Sequence, residues 1–186
     1  YDDACAPPDR VVGHFGDTMA NERSATAVTD AALNWLNDGS RKNPFFAWIH
    51  YYDPHFPYAP PPAFAGDGQS RYDGEIAYVD SQLGRVLELL RQKKLQRRTL
   101  VVVAGDHGEG LEEHGEPTHA YLIYDSTLHV PLILNSPALF GAPRVIDDRV
   151  VSLADIMPTV LDLLGVAVPA GLDGQDLLAS EPDEDR

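Results

Sequence analysis

Apolar residues recur along this chain with helical spacing in three segments. Over residues 23–38 and 71–94 they return every three or four positions, the spacing that buries one face of a helix. A third such segment spans residues 152–164, where Ser152 and Asp155 match a capping box, a pair whose side chains bind backbone N–H groups of the first helical turn. Each of these three segments therefore predicts an amphipathic helix.

Three apolar runs lack this spacing and predict strands buried on both faces of a sheet: Phe45–His50, Leu100–Ala104 and Val130–Leu134. A short helix is predicted at Tyr121–Thr127. The order of helix, strand, helix, strand, loop, strand and helix predicts an α/β fold with a mainly parallel sheet flanked by helices. Three strands are few for such a sheet, so we expect an incomplete fold with an open edge through which the chain can self-associate.

Composition and charge narrow the class of protein. The 186 residues are 44% hydrophobic, which is typical of a folded domain with its own core. The 29 acidic residues outnumber the 14 basic ones and give a net charge of −15. This balance argues against general nucleic-acid binding, because the phosphate backbone requires a basic surface. The single Cys5 cannot form a disulfide within the chain.

The residues with distinctive chemistry begin directly after the apolar run at 100–104. Asp106 and His107 follow it, in a loop where Gly105 and Gly108 allow the backbone to turn tightly. Neighbouring side chains of a strand point to opposite faces, whereas in such a turn both can converge on one point. A carboxylate oxygen and an imidazole nitrogen that converge form half of a metal site. The alternative is an acidic, glycine-rich surface loop.

A second polar cluster follows the apolar run at 45–50. Asp53, His55 and Tyr58 are interleaved with prolines, which exclude a continued helix or a central strand and favour a stiff, extended loop. If the runs at 45–50 and 100–104 form parallel strands, both loops lie at the sheet edge where α/β proteins bind ligands. An imidazole there can donate a hydrogen bond to an anion. We therefore favour a functional role for His55.

Four blocks of the sequence, in this order, resemble the second half of the sulfatase family, the branch of the alkaline-phosphatase superfamily that hydrolyses sulfate esters. The blocks are PFFAWIHYYDPHFPY, YDGEIAYVDSQLGRVLELL, VVVAGDHGEGLEEHGEPTHAYLIYDSTLHVPLIL and VSLADIMPTVLDLLGV. The resemblance implies an incomplete alkaline-phosphatase-like fold. We expect an irregular N-terminal segment at residues 1–22, the C-terminal part of a sulfatase-like catalytic domain at 23–175, and a frayed tail at 176–186.

The resemblance implies roles for five residues of this chain. Asp106 and His107 match two metal ligands that follow the family's central strand. His55 matches a residue that contacts the sulfate. His119 matches a position whose Lys or His binds the sulfate or assists the leaving group, and His114, in the EHG block, is expected to bind substrate. His55 and His119 are thus the expected catalytic residues.

The resemblance also implies cofactors. A divalent metal is expected, with calcium as the first choice. His107 stands where many arylsulfatases have Asn, and a mixed nitrogen and oxygen site also suits manganese or zinc. Glu112 is a second departure, because the family usually has Gly before its EHG block.

The family's nucleophile is a formylglycine made from the Cys or Ser of a C/S-x-P-x-R motif. Cys5 lies in CAPPDR, where Arg10 is one residue too far along to match that motif. We therefore expect the formylglycine in an N-terminal half outside this sequence, and no turnover by this chain alone. That N-terminal half of the same protein is an expected partner.

These observations favour metal-dependent hydrolysis of sulfate esters. One alternative is a phosphoester or phosphonate hydrolase, or a phosphoryl-group transferase, on the same scaffold, which His107 keeps open. Another is a non-catalytic module that binds metal or ligand. The expected small-molecule partner is a sulfate or phosphate ester, and no nucleic-acid partner is expected.

Overall fold

The computed structural model describes residues 23–39, 44–66, 70–119, 121–146 and 150–179. They fall into two compact units, one ending at Gln96 and one beginning at Arg97. The predictions for residues 1–22 and for the end of the tail lie outside the described residues. Within the described ranges, no helix is both long enough and apolar enough to cross a membrane.

The first unit contains the two helices that the apolar spacing predicted, α1 (Ala25–Asn37) and α2 (Arg71–Gln92). A serine precedes each helix, and the side chains of Ser24 and Ser70 each accept a backbone N–H from the first turn. Serine is favoured at this position because its hydroxyl replaces the acceptor that the first turn lacks. Both helix predictions are therefore confirmed, with boundaries set by these caps.

The two helices pack through a face of α2 that repeats every four residues. Tyr78 lies on this face, and its hydroxyl donates to Thr26 Oγ1 at 2.6 Å and accepts the Thr26 N–H at 2.9 Å. Thr29 Oγ1 lies 3.0 Å from the Tyr51 hydroxyl. The buried side chains at this spacing are Tyr78, Gln82, Val86 and Leu90. These hydrogen bonds between hydroxyl groups thus fix the first turns of α1 against α2 and against the loop that contains Tyr51.

The run Phe45–His50 has no assigned strand in the described structure, which corrects the prediction of a buried strand. Phe46 and Trp48 are 79% and 80% exposed. Apolar content shows that a segment can be buried, but a strand also needs a neighbour whose backbone groups can pair with its own. The described sheet consists of two other strands that pair with each other, and this run is not part of it.

The second unit contains that sheet, formed by β1 (Val101–Ala104) and β2 (Leu132–Asn135). The strands run antiparallel and set Ala104 opposite Leu132, which corrects the parallel direction expected for them. A parallel pair needs a crossover, usually a helix that packs on the sheet. The described part of this connection holds a long loop and the four-residue helix α3 (Asp125–Leu128) instead.

The antiparallel pairing continues beyond the ends of the strands. The Gly105 N–H donates to Pro131 O at 3.2 Å, and the Gly108 N–H donates to Thr127 O at 2.9 Å. A Cβ at Gly108 would overlap the carbonyl oxygen of Ser126, so only glycine permits this approach. The loop after β1 is therefore held along the segment that leads into β2.

A tight turn follows in this loop, between Glu112 and Gly115. The Gly115 N–H donates to Glu112 O at 3.0 Å, and the Glu112 N–H donates to Glu116 O at the same distance. Glu112 has φ 72°, in the left-handed region that favours glycine. The sulfatase resemblance places Gly at this position, so the structure gives the backbone reason for that preference.

Helix α4 (Ile156–Leu163) follows a 3₁₀ turn, and the predicted capping box is confirmed. Asp155 is fully buried and accepts the N–H groups of Ser152 at 2.7 Å and Gln175 at 2.8 Å. Thr159, also fully buried, donates to Asp155 O and accepts the Leu177 N–H at 2.9 Å. These bonds attach the segment after α4 to the start of that helix.

Replacing Asp155 by Ala is expected to lower the free energy of unfolding by about 3 kcal/mol, because two backbone N–H groups lose a fully buried carboxylate acceptor. Chemical denaturation measures the change. Asp162→Ala, an exposed site on α4, is the matched control and is expected to stay within about 0.5 kcal/mol of the parent. Equal losses for both variants would contradict the assignment of Asp155 as an anchor.

Glu112→Gly is expected to raise the free energy of unfolding by about 0.5–1 kcal/mol, because glycine adopts the left-handed conformation without a Cβ clash. Glu113→Gly, at the next position, is expected to lower it, because no positive φ there offsets the added chain entropy and the Leu111 N–H loses its carboxylate acceptor. Denaturation of the two variants side by side gives the sign of each change. If Glu112→Gly lowered the free energy of unfolding, the glutamate side chain would contribute more stability than its left-handed backbone conformation costs.

Candidate active site

Asp106 and His107 lie together just beyond the end of β1. Asp106 Oδ1 accepts the His107 N–H at 3.0 Å, and Asp106 Oδ2 lies 3.9 Å from His107 Nε2. His107 Nδ1 lies 2.8 Å from Gly108 O. A carbonyl oxygen only accepts, so Nδ1 carries the proton and Nε2 is the nitrogen suited to bind a metal. The predicted convergence of these two side chains is present.

These two side chains fit half of a metal site. Ligands about 2.1 Å from one ion can lie up to about 4.2 Å apart, so a single cation can reach both atoms. The side chains of Asp106 and His107 are 74% and 45% exposed, which leaves room for further ligands. Among the described residues, no group of three or more His, Cys, Asp or Glu side chains is placed to hold a metal.

His119 joins this pair through its ring. The ring centroids of His107 and His119 are 4.0 Å apart, with 36° between the ring planes. His119 Nδ1 lies 3.0 Å from Glu109 Oε1 and donates to it as long as the carboxylate is ionised. The structure thus brings Asp106, His107 and His119 into one cluster, as the resemblance implied for the active site.

Glu109 is the residue of this cluster that sequence reasoning missed. Its side chain is 5% exposed, whereas that of His119 is 27% exposed. In the sequence it is one of several acids in a glycine-rich loop, and no spacing rule pairs it with a histidine ten positions later. The signal available in the sequence was a carboxylate two positions after His107, directly after Gly108.

Two further glutamates organise the loop between Leu111 and Leu122. Glu116 is buried, and its Oε1 accepts the N–H groups of Tyr121 at 2.8 Å and Leu122 at 3.3 Å. Glu113 is exposed and accepts the Leu111 N–H at 2.6 Å. Hydrogen bonds from its own backbone N–H and that of Leu111 lower the pKa of Glu113. Glu116 thus holds the backbone at Tyr121 and Leu122 through two hydrogen bonds.

His114, the other histidine implied by the resemblance, stacks on Tyr124. Their ring centroids are 3.8 Å apart, with 23° between the planes. This contact fixes the imidazole beside the start of α3. Its role in substrate binding stays a prediction.

His55 lies in the first unit, on a loop held by two carboxylates. Asp53 Oδ2 accepts the Ala25 N–H at the start of α1, at 2.7 Å. Glu75, which is 4% exposed on α2, accepts the N–H groups of His55 at 3.1 Å and Ala59 at 2.7 Å. Sequence reasoning did not single out Glu75, because an acid within a helical pattern is ordinarily solvated.

The His55 imidazole packs on Tyr52, with 4.4 Å between ring centroids and 3.2 Å between Nε2 and the tyrosine hydroxyl. Ring and backbone are thus both positioned, which agrees with the stiff loop that the prolines predicted. The expectation that this loop shares a sheet edge with Asp106 loses its basis, because it required a strand at 45–50 that the described structure does not contain.

The Sulfatase family model matches residues 2–166. Arylsulfatase K of Bos taurus is 38% identical over 109 residues, which cover 59% of this chain and 20% of the bovine protein. The match thus spans about 20% of that relative's length.

Two crystal structures share the fold. YidJ of Bacteroides fragilis, a protein assigned as a sulfatase, aligns with a TM-score of 0.73 at 24% identity over 84% of this chain and 40% of its own. The phosphonate monoester hydrolase of Agrobacterium radiobacter aligns with a TM-score of 0.72 at 25% identity over 83% of this chain and 42% of its own. The expected alkaline-phosphatase-like fold is confirmed, and the chain belongs to the sulfatase family.

Proposed function

We propose that the protein containing this chain is a metal-dependent hydrolase of sulfate esters. The observation that carries this proposal is the cluster beyond β1, where His107 Nε2 lies 3.9 Å from Asp106 Oδ2 and the His107 ring lies 4.0 Å from that of His119. Asp106 and His107 are the proposed ligands of a divalent cation. When bound, such a cation supplies Lewis-acid polarisation of a sulfate oxygen.

His119 is the proposed general acid. Its Nδ1 bonds to Glu109, so Nε2 is the nitrogen that would give a proton. As a nucleophile forms its bond to sulfur, the bond between sulfur and the leaving oxygen breaks and its electron pair stays on that oxygen. The oxygen then takes the Nε2 proton, which leaves a neutral His119 that still donates from Nδ1.

His55 and His114 are proposed to contact the sulfate and the substrate, respectively. A neutral or charged imidazole donates to the oxygens on which charge develops during ester cleavage. Glu75 accepts the His55 backbone N–H and so holds this residue in place. This supports the proposed role for His55, because a donor stabilises developing charge best when it need not reorganise. The nucleophile is proposed to be a formylglycine outside this sequence.

Phosphonate or phosphate ester hydrolysis is the second candidate function. The resemblance to the phosphonate monoester hydrolase of Agrobacterium radiobacter favours it, as does His107, which makes the metal-binding pair a mixed oxygen and nitrogen set. Such a pair suits manganese or zinc, whereas an all-oxygen set suits calcium. Two measurements therefore bear on the choice between the candidate functions: which metal binds, and which ester is hydrolysed faster.

Asp106→Ala and His107→Ala are each expected to weaken divalent metal binding at least tenfold, because each removes one ligand atom. The measurement is calorimetric titration of the metal-free, full-length protein with calcium, manganese and zinc in turn. Asp125→Ala removes an exposed carboxylate from α3 and is expected to leave the affinity unchanged. Unaltered affinity in both ligand variants would contradict the proposed site.

His119→Gln is expected to lower kcat about 10²–10⁴-fold for an alkyl sulfate, and much less for 4-nitrophenyl sulfate, whose leaving group needs no proton. Steady-state kinetics of the metal-loaded, full-length protein measure both values. A phosphonate ester with the same leaving groups is assayed in parallel. A larger kcat/KM for the phosphonate would move the assignment to the second candidate, and equal losses for both leaving groups would exclude His119 as the general acid.

A further inference from the structure

We propose that Glu109 is a positioning residue that fixes the His119 ring with its proton on Nδ1, so that Nε2 serves the leaving group. This inference deepens the proposed function and rests on it for its catalytic meaning. The geometry behind it is the 3.0 Å contact between Glu109 Oε1 and His119 Nδ1.

Backbone hydrogen bonds and burial of its side chain fix the position of Glu109. Its N–H donates to Ser126 O at 3.0 Å, and the preceding Gly108 N–H donates to Thr127 O at 2.9 Å. The side chain is 5% exposed. A buried carboxylate with a tethered backbone has few alternative positions, so it dictates the orientation of the imidazole that binds it.

The His107 ring fixes the other side of His119. The two imidazole centroids lie 4.0 Å apart, so this contact restricts the plane of the His119 ring, while the bond to Glu109 selects the edge that carries Nδ1. Each Nδ1 faces an oxygen acceptor, Gly108 O for His107 and Glu109 Oε1 for His119. Both rings are therefore set in the same tautomer, and Nε2 is the functional nitrogen in each.

A comparison within the loop separates this role from a purely structural one. Glu116 is also a buried carboxylate, but its Oε1 accepts the backbone N–H groups of Tyr121 and Leu122. The Glu109 carboxylate instead binds an imidazole of the cluster. Glu116→Gln thus perturbs a buried carboxylate of the same loop without touching the His119 ring, and serves as the matched variant.

The test uses the full-length, metal-loaded protein with ¹⁵N-labelled histidine rings. At a pH where the ring is neutral, long-range ¹H–¹⁵N spectra are expected to show the His119 proton on Nδ1, with the signal assigned by its loss in His119→Gln. In Glu109→Gln the proton is expected to move in part to Nε2. Glu116→Gln is expected to keep the parent tautomer.

Kinetics give the second readout. The ratio of kcat for 4-nitrophenyl sulfate to kcat for an alkyl sulfate is expected to rise about tenfold in Glu109→Gln, because a misplaced acid harms the poorer leaving group more. Glu116→Gln is expected to leave the ratio unchanged, whatever its effect on overall rate.

A parent protein with the neutral His119 proton on Nε2 would overturn the inference without any variant. An unchanged tautomer in folded Glu109→Gln would also overturn it. If the tautomer depends on Glu109 while no sulfate ester is cleaved, the positioning role stands and the proposed function fails. If the tautomer depends on Glu109 but the ratio is unchanged, Glu109 does not act through leaving-group protonation and the inference is overturned.

Discussion

The candidate site depends on the antiparallel pairing that extends past the strands of the second unit. Beyond Ala104 the backbone of the loop bonds to the segment that leads back into β2, through the Gly105, Gly108 and Glu109 N–H groups. Side chains can be positioned for chemistry only on a fixed backbone, and each of these hydrogen bonds restricts the conformations that the loop can adopt. Without them Asp106 and His107 would follow a mobile glycine-rich turn.

Carboxylates then orient the groups that the backbone brings near. Glu109 binds the His119 imidazole, while Glu75 and Asp53 hold the loop that carries His55. In each unit a carboxylate accepts a hydrogen bond from a histidine that it positions: Glu75 from the His55 backbone and Glu109 from the His119 ring. The positions of His55 and His119 are therefore set in part by acidic neighbours.

Sequence alone predicted the parts of the structure that local rules decide. Apolar spacing located α1 and α2, and the Ser152 and Asp155 pair located the start of α4. The convergence of Asp106 and His107 followed from glycines beside a strand end, and the resemblance added His119. These features depend on residues that are near in sequence or that share a recognisable block.

Features that depend on pairing between segments distant in sequence could not be predicted from the sequence. The runs at 45–50 and 100–104 looked alike as apolar segments, but a strand forms only where another backbone pairs with it, and direction is not encoded in composition. The Glu109–His119 contact joins residues ten positions apart, and no local spacing rule pairs them. The left-handed φ of Glu112 could not be inferred from a glutamate.

Asp106 and His107 are proposed to bind one cation beside His119. The most direct test is anomalous X-ray diffraction from crystals of the full-length protein grown with manganese. An anomalous peak is expected about 2.0–2.4 Å from both Asp106 Oδ2 and His107 Nε2. A fully occupied peak elsewhere, with neither atom among its ligands, would contradict it.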